Sequence, residues 1–188
     1  MKKAGGEKVG FEPPAFTELT LHGLRQGGVL LSSVSRTGRP NVMTIGWGLV
    51  GTLWARPVFL IAVRPSRYTF QLIEDSGCFT VNVPGEGMGE VLKFCGTESG
   101  RTVDKFKETK LTPLPGRKVA SSAIAECIIH YECRVVHKDR LSHENLAPEI
   151  AGLYPRGGFH TLYVGEIAAT YADRDAPDKL SGSRQEPR

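Results

Sequence analysis

The sequence predicts a mainly β domain, an antiparallel barrel or sandwich with a few short helices. Three observations predict it. Glycine and proline number 22 and 12 among 188 residues, about 18% against an ordinary ~12%, so turns are frequent and elements short. The apolar stretches are brief, and one of them alternates over many positions. Stretches with helical spacing are few and short, which argues against a doubly wound sheet.

The elements follow in order. Residues 29–35 are apolar and partly β-branched, a first strand. A turn at Arg36-Thr37-Gly38-Arg39-Pro40 leads to a longer strand over 41–53. Residues 58–64 form a continuous apolar run suited to a buried strand. Ser66 is a candidate N-cap for a helix over 67–75, with Gly77 as its stop. Residues 78–83 make another strand, closed by Pro84-Gly85. Short helices are expected over 88–94, ending at Cys95-Gly96, and over 103–108. Residues 123–136 alternate: Ala123, Ala125, Cys127, Ile129, Tyr131, Cys133 and Val135 face one way, and Glu126, His130, Glu132 and Arg134 the other. That pattern predicts one wet and one core face. Residues 161–171 form the last strand, and 141–158 a long loop before it. The domain is expected over 11–173, with flexible ends at 1–10 and 174–188 whose composition cannot form a core.

Bulk properties exclude several classes. The net charge is +4, of which the two ends hold +3 and the body +1, so no basic face for nucleic acid is indicated. The longest apolar run, Val58 to Val63, is far below the roughly 20 residues that span a bilayer. The basic start lacks the apolar run of a signal peptide. Four cysteines with no Cys-x-x-Cys spacing read as reduced cytoplasmic thiols. The histidines show no metal-ligand spacing. Gly85-Glu86-Gly87-Met88-Gly89 lacks the dinucleotide-loop spacing and reads as a plain loop.

Three segments place small, hydroxyl and basic residues at strand ends: 41–47, 64–69 and 95–106. The second has the makings of an anion site. Free N–H groups at a helix start, the hydroxyls of Ser66 and Thr69, and the forked donors of Arg64 and Arg67 suit phosphate oxygens. Taken singly, each segment reads more simply as strand, cap and turn.

Taken together they carry a resemblance. Asn41-x-Met43-Thr44-x-Gly46-Trp47, Arg64-Pro65-Ser66-Arg67-Tyr68-Thr69, Phe79-x-Val81-Asn82-Val83-Pro84, and Cys95-Gly96-x-x-Ser99-Gly100-Arg101-x-x-Asp104-Lys105-Phe106 occur in that order, followed by His160-x-x-x-x-Gly165-Glu166. This resembles the flavin reductase-like family, the flavoredoxin-type proteins with an FMN-binding split barrel. The resemblance covers residues 15–173. It implies a Greek-key split β-barrel, a homodimer with the flavin near its interface, and FMN as cofactor, with FAD possible. It implies that Met43, Thr44, Ile45, Gly46 and Trp47, beside Asn41, line one side of the isoalloxazine. Ser66, Arg67 and Thr69, with Arg64 nearby, would hold ribityl or phosphate oxygens. Asn82 would reach the polar edge of the flavin. Cys95, Gly96, Ser99, Gly100 and Lys105 would close the other side, and His160 would lie where a nicotinamide stacks.

The activity implied is NAD(P)H-dependent flavin reduction, hydride passing to flavin N5, with no acid–base dyad needed. Two alternatives remain: a flavoredoxin-type electron carrier serving a protein or ferric partner without a nicotinamide site, and a non-enzymatic binding domain. Loop 141–158 departs from a simple reductase. Its His143 and Tyr154 read more readily as packing or solvent-facing residues than as shapers of the substrate side.

Overall fold

The computed structural model of the chain describes residues 7–176. Strand β1 (Lys8–Gly10) leads through a 3-10 turn (Pro13–Phe16) into helix α1 (Thr17–Arg25). Two hairpins follow, β2 (Val29–Val34) with β3 (Pro40–Ile45) and β4 (Gly48–Leu53) with β5 (Arg56–Val63). Then come α2 (Tyr68–Ser76), β6 (Cys78–Pro84), α3 (Gly89–Thr97) and α4 (Lys105–Thr109). A small pair, β7 (Pro113–Leu114) and β8 (Ala123–Ile124), precedes the long β9 (Cys127–Arg140). After a 3-10 turn (His143–Asn145) and α5 (Pro148–Ala151), β10 (Thr161–Asp173) closes the domain.

The main sheet is antiparallel, in the order β3-β2-β6-β9-β10-β5-β4, with β1 also paired to β10. Ile45 of β3, Leu31 of β2, Phe79 of β6, Tyr131 of β9, Tyr163 of β10 and Ile61 of β5 all enter one buried cluster, and Val50 of β4 packs against it. Strands from opposite ends of the order meet in one core only if the sheet curls on itself. The result is a split barrel with Greek-key connectivity. Leu30, Val42, Cys95 and Phe106 form a second cluster that seats α3 and α4 on the outside of β2 and β3. No helix among the described residues is long and apolar enough to cross a membrane.

Several expected boundaries are corrected. The strand expected over 41–53 is two, because the chain leaves β2 at Gly46-Trp47 and joins β5 as β4. The strand expected over 123–136 breaks at Ala125-Glu126 and then runs to Arg140. Its supposedly wet face is buried in the middle, where His130 and Glu132 are fully enclosed, while Glu126 is half-buried and Arg134 exposed. Glu132 is satisfied there by the backbone N–H groups of Arg117, Lys118 and Val119 and by the Tyr171 hydroxyl, whereas His130 is bonded only through Nδ1, to Asn82, and its Nε2 is buried without a partner. Alternation cannot distinguish water from a saturating loop. Helix α1 went unanticipated, since only Thr20 and Leu24 of it are buried. Residues 8–10, expected in a flexible end, form β1, anchored by the buried Lys8–Asp173 ion pair. Residues 1–6 and 177–188 of the expected ends lie outside the described residues. Arg67, not Ser66, occupies the N-cap of α2, while Gly77 ends that helix in the left-handed conformation as expected.

Gly165 shows how tightly the curled sheet is packed. A Cβ there would lie 2.5 Å from Cζ of Phe79 and 2.7 Å from Cβ of Cys133. Gly165→Ala is therefore expected to cost about 1–3 kcal/mol, lowering the urea midpoint at unchanged m-value. Phe79→Leu should recover part of the loss, because the two positions share one space.

Candidate functional site

Two cavities of about 140 and 150 Å³ share Met43 and Arg67 in their walls. The break between β3 and β4 positions both. Asn41 and Met43 of β3 face the first cavity, and the departing Thr44, Ile45, Gly46 and Trp47 face the second. The β5–α2 junction supplies Arg64 to the second and Ser66, Tyr68 and Thr69 to the first. The end of α3 and the turn to α4 supply Cys95, Gly96, Glu98, Ser99, Gly100 and Lys105. His160, just before β10, completes the second cavity.

All the residues expected at the site from the sequence line these two cavities except Asn82. Asn82 is fully buried in the barrel wall, and its amide is spent there. It donates to Ser32 Oγ and the Leu30 and Thr80 carbonyls, and its oxygen accepts from Ile124 N–H and meets His130 Nδ1 at 2.8 Å. A polar residue in a family motif reads as a site residue, and only its inward direction reveals a structural one. Tyr68, Glu98 and Ala62 also line the cavities and were not singled out. Tyr68 and Glu98 stood within the highlighted segments, whereas Ala62 carried no signal.

Within the first cavity the neutral groups are pre-set. The Asn41 amide donates to Thr69 Oγ1 at 2.9 Å and to Ser33 Oγ at 3.2 Å, leaving its own oxygen against the Cα of Gly100. A Cβ on Gly100 would fall 1.9 Å from that oxygen, so only glycine permits this approach. No side chain caps the start of α2; of its first-turn N–H groups that of Phe70 donates to the Arg67 carbonyl at 3.1 Å, which leaves those of Tyr68 and Thr69 for a ligand or water. Arg101 steadies the junction from outside, donating to the Ser66 carbonyl at 3.0 Å with its guanidinium 5.3 Å from the Tyr68 ring centre.

The charged groups are less settled. Lys105 is 5% exposed, and its ammonium donates to the Cys95 carbonyl at 2.7 Å. No carboxylate lies within ion-pair distance of it among the described residues. Burial, and then Arg67, press its pKa down, against the pull of Cys95 and Glu98. Burial pushes the neighbouring Cys95 thiol up to about 11, so it is a neutral wall group. A half-satisfied ammonium, an exposed guanidinium and an uncapped helix start at one cavity form a donor set for a phosphate oxyanion.

The second cavity holds two rings, Trp47 and His160, beside Arg64 and Arg67. The His160 ring lies 4.6 Å from Trp47, and its Nδ1 is 2.8 Å from the Tyr154 hydroxyl. Burial, and then Arg64 and Arg67, lower the His160 pKa to about 4, so its imidazole is neutral at neutral pH. Tyr154, expected only to pack, is buried and bonded to a site residue, whereas His143 is exposed. A third cavity, apolar and about 520 Å³, meets the second at Gly46, Trp47 and Ala62.

The comparisons with known proteins agree with this architecture. The model of the flavin reductase like domain matches residues 21–185, and the chain belongs to this family. An uncharacterized protein of Archaeoglobus fulgidus is 36% identical over 135 residues, 71% of this chain and 66% of that relative. One of Pyrococcus abyssi is 32% identical over 136 residues, 71% of this chain and 67% of that relative. The chain thus spans about two thirds of the length of these curated relatives. Among solved structures, a flavoredoxin of Desulfovibrio vulgaris superposes with a TM-score of 0.64 at 25% identity, over 79% of this chain and 70% of that one. A flavoredoxin from Methanosarcina acetivorans gives 0.59 at 30% identity, over 79% and 69%. An NADH:FAD oxidoreductase of Streptomyces globisporus, solved with NAD and FAD fragments, shares the fold, with a TM-score of 0.59 at 22% identity over 86% and 84%.

The neutral histidines set a pH dependence. His130, buried in the wall, falls to about 3 through burial, then Lys8 and Arg117. Both His130 and His160 take up protons more readily when unfolded. Their stabilising effect is complete above the unperturbed 6.5 and is lost as pH falls toward about 4 for His160 and about 3 for His130. Urea midpoints are therefore expected to fall between pH 6.5 and 4, and His160→Gln should make that fall shallower. An identical slope in the variant would assign the loss to other groups.

Proposed function

We propose that this chain binds FMN across the two joined cavities and reduces it with NAD(P)H. The observation that supports this best is the convergence of four separated segments on one double cavity, with the buried, half-satisfied Lys105 at one end and the neutral His160 at the other. Lys105, Arg67, Ser66 and the start of α2 would hold the phosphate. Asn41 and Thr69, already linked, would present oxygens to the ribityl chain. Met43 to Trp47 would flank one side of the ring system, and Cys95, Gly96, Ser99 and Gly100 the other. Bound FMN supplies the hydride-accepting ring nitrogen that no side chain can offer. The residues do the rest: they bind, orient and exclude water, and no side chain need gain or lose a proton. His160 and Trp47 would receive the nicotinamide. FAD fits the same reading if its adenylate lies outside the cavities.

The flavoredoxin similarities favour a second reading, an electron carrier that serves a protein or ferric acceptor without its own nicotinamide site. The protein is further proposed to act as a homodimer. Trp47, Leu49, Ile150 and Leu153, all more than 40% exposed, line the apolar third cavity, and Leu53 and Trp54 at the β4–β5 turn are as exposed. A second copy would cover them. The four cysteines are unpaired buried thiols, which suits a reducing cytoplasm.

Purified protein should be yellow or reconstitute with FMN, and NADH or NADPH should bleach it in stopped flow. Bleaching by neither nucleotide leaves the carrier reading. A protein that takes up neither FMN nor FAD defeats both. Arg67→Ala should weaken FMN about 10–100-fold, the worth of one charged hydrogen bond, and leave riboflavin nearly unchanged. Equal losses would place Arg67 away from the phosphate.

A further inference from the structure

Loop 141–158 reaches His160, a wall residue of the second cavity, through one side chain, Tyr154. Its two ends are tied where Leu141 N–H donates to the His160 carbonyl at 3.0 Å. Gly157 and Gly158, at φ 66° and 71°, fold the chain back sharply in the left-handed region. That reversal brings Tyr154, six residues upstream, onto the imidazole of His160. The Tyr154 ring is itself fixed, 5% exposed, packed 4.9 Å from Phe159 and 5.6 Å from the Arg64 guanidinium. The loop therefore holds His160 twice, by its carbonyl and by Nδ1.

The second bond decides a proton. A phenol is a better donor than a neutral imidazole N–H, and an imidazole nitrogen a better acceptor than a phenol oxygen. Arg64 and Arg67 face the imidazole and oppose its protonation. We propose that Tyr154 is a positioning residue whose hydroxyl donates to His160 Nδ1, fixes the Nε2–H tautomer and so presents a neutral N–H donor to the second cavity. Resting on the reading above, that donor meets an acceptor oxygen of the nicotinamide nucleotide, the carboxamide or a phosphate. A loop that reads as packing thereby becomes the element that sets how the nucleotide is received. Tyr154→Phe keeps the ring, its contact with Phe159 and its place beside Arg64, and removes only the hydroxyl.

The test is the ¹⁵N spectrum of histidine-labelled full-length protein without ligand at neutral pH, with the His160 signals assigned by their loss in His160→Gln. Wild type should show an unprotonated Nδ1 and a protonated Nε2. Tyr154→Phe should shift both signals toward the average of exchanging tautomers. FMN-loaded Tyr154→Phe should keep its FMN affinity but be reduced by NADH or NADPH about tenfold or more slowly in single turnover, as a reactant held less well. A protonated Nδ1 in wild type, or an unchanged tautomer in Tyr154→Phe, overturns the positioning role, and the wild-type spectrum alone suffices for the first. Wild type that shows the expected tautomer but is bleached by neither nucleotide retains that role and overturns only the reductase reading.

Discussion

The site depends on one constraint: a single antiparallel sheet has to close around one apolar core. Its strand order ends in β3 on one side and β4 on the other, yet residues of both halves bury against Phe79, Tyr131 and Tyr163. The two ends are consecutive in sequence, joined only by Gly46 and Trp47. The chain therefore crosses the opening of the barrel at the point where the sheet splits. An irregular crossing exposes backbone that a strand would have paired. The site residues gather at that crossing because α2, entered from β5, and α3, seated on the outside of β3, border the same gap.

The barrel wall is held by polar groups as much as by apolar ones. Glu132 collects three backbone N–H groups and a tyrosine hydroxyl inside the protein, and Asn82 joins β2, β6, β8 and β9 through one amide. Saturated in this way, buried polar side chains fix one register, since a slip by one residue would strand each of them unpaired. The wall is thus rigid beneath a site whose own charged groups are poorly satisfied.

Much of this was legible in the sequence. Short strands, turns and the terminating Gly77 follow from composition and local chemistry, and the residue types of segment 64–69 alone marked it as a candidate anion site. What stayed hidden was direction. Alternation over 123–136 looked half-wet because Glu132 and His130 are polar, and nothing local showed that loop 117–119 would turn back onto the carboxylate. Asn82 looked like a site residue because its motif did, although its side chain points into the wall. Tyr154 looked inert because its partner, His160, is reached only through two left-handed glycines. In each case the deciding contact is tertiary, and sequence spacing does not encode it.

The mismatch between wall and site has a thermodynamic meaning. Burying the Lys105 ammonium against one carbonyl and leaving α2 without a side-chain cap both work against the folded state without ligand. On the proposed reading, an anionic ligand would satisfy these groups together. Its binding free energy then contains the relief of strain that the wall was rigid enough to hold, and the same groups that weaken the free protein favour the liganded one. A site made only of satisfied neutral groups would leave the free fold more stable and hold a phosphate less well. On the same reading, the unsatisfied charge at one end of the double cavity and the neutral donor proposed at the other would give a long ligand only one direction in which to lie.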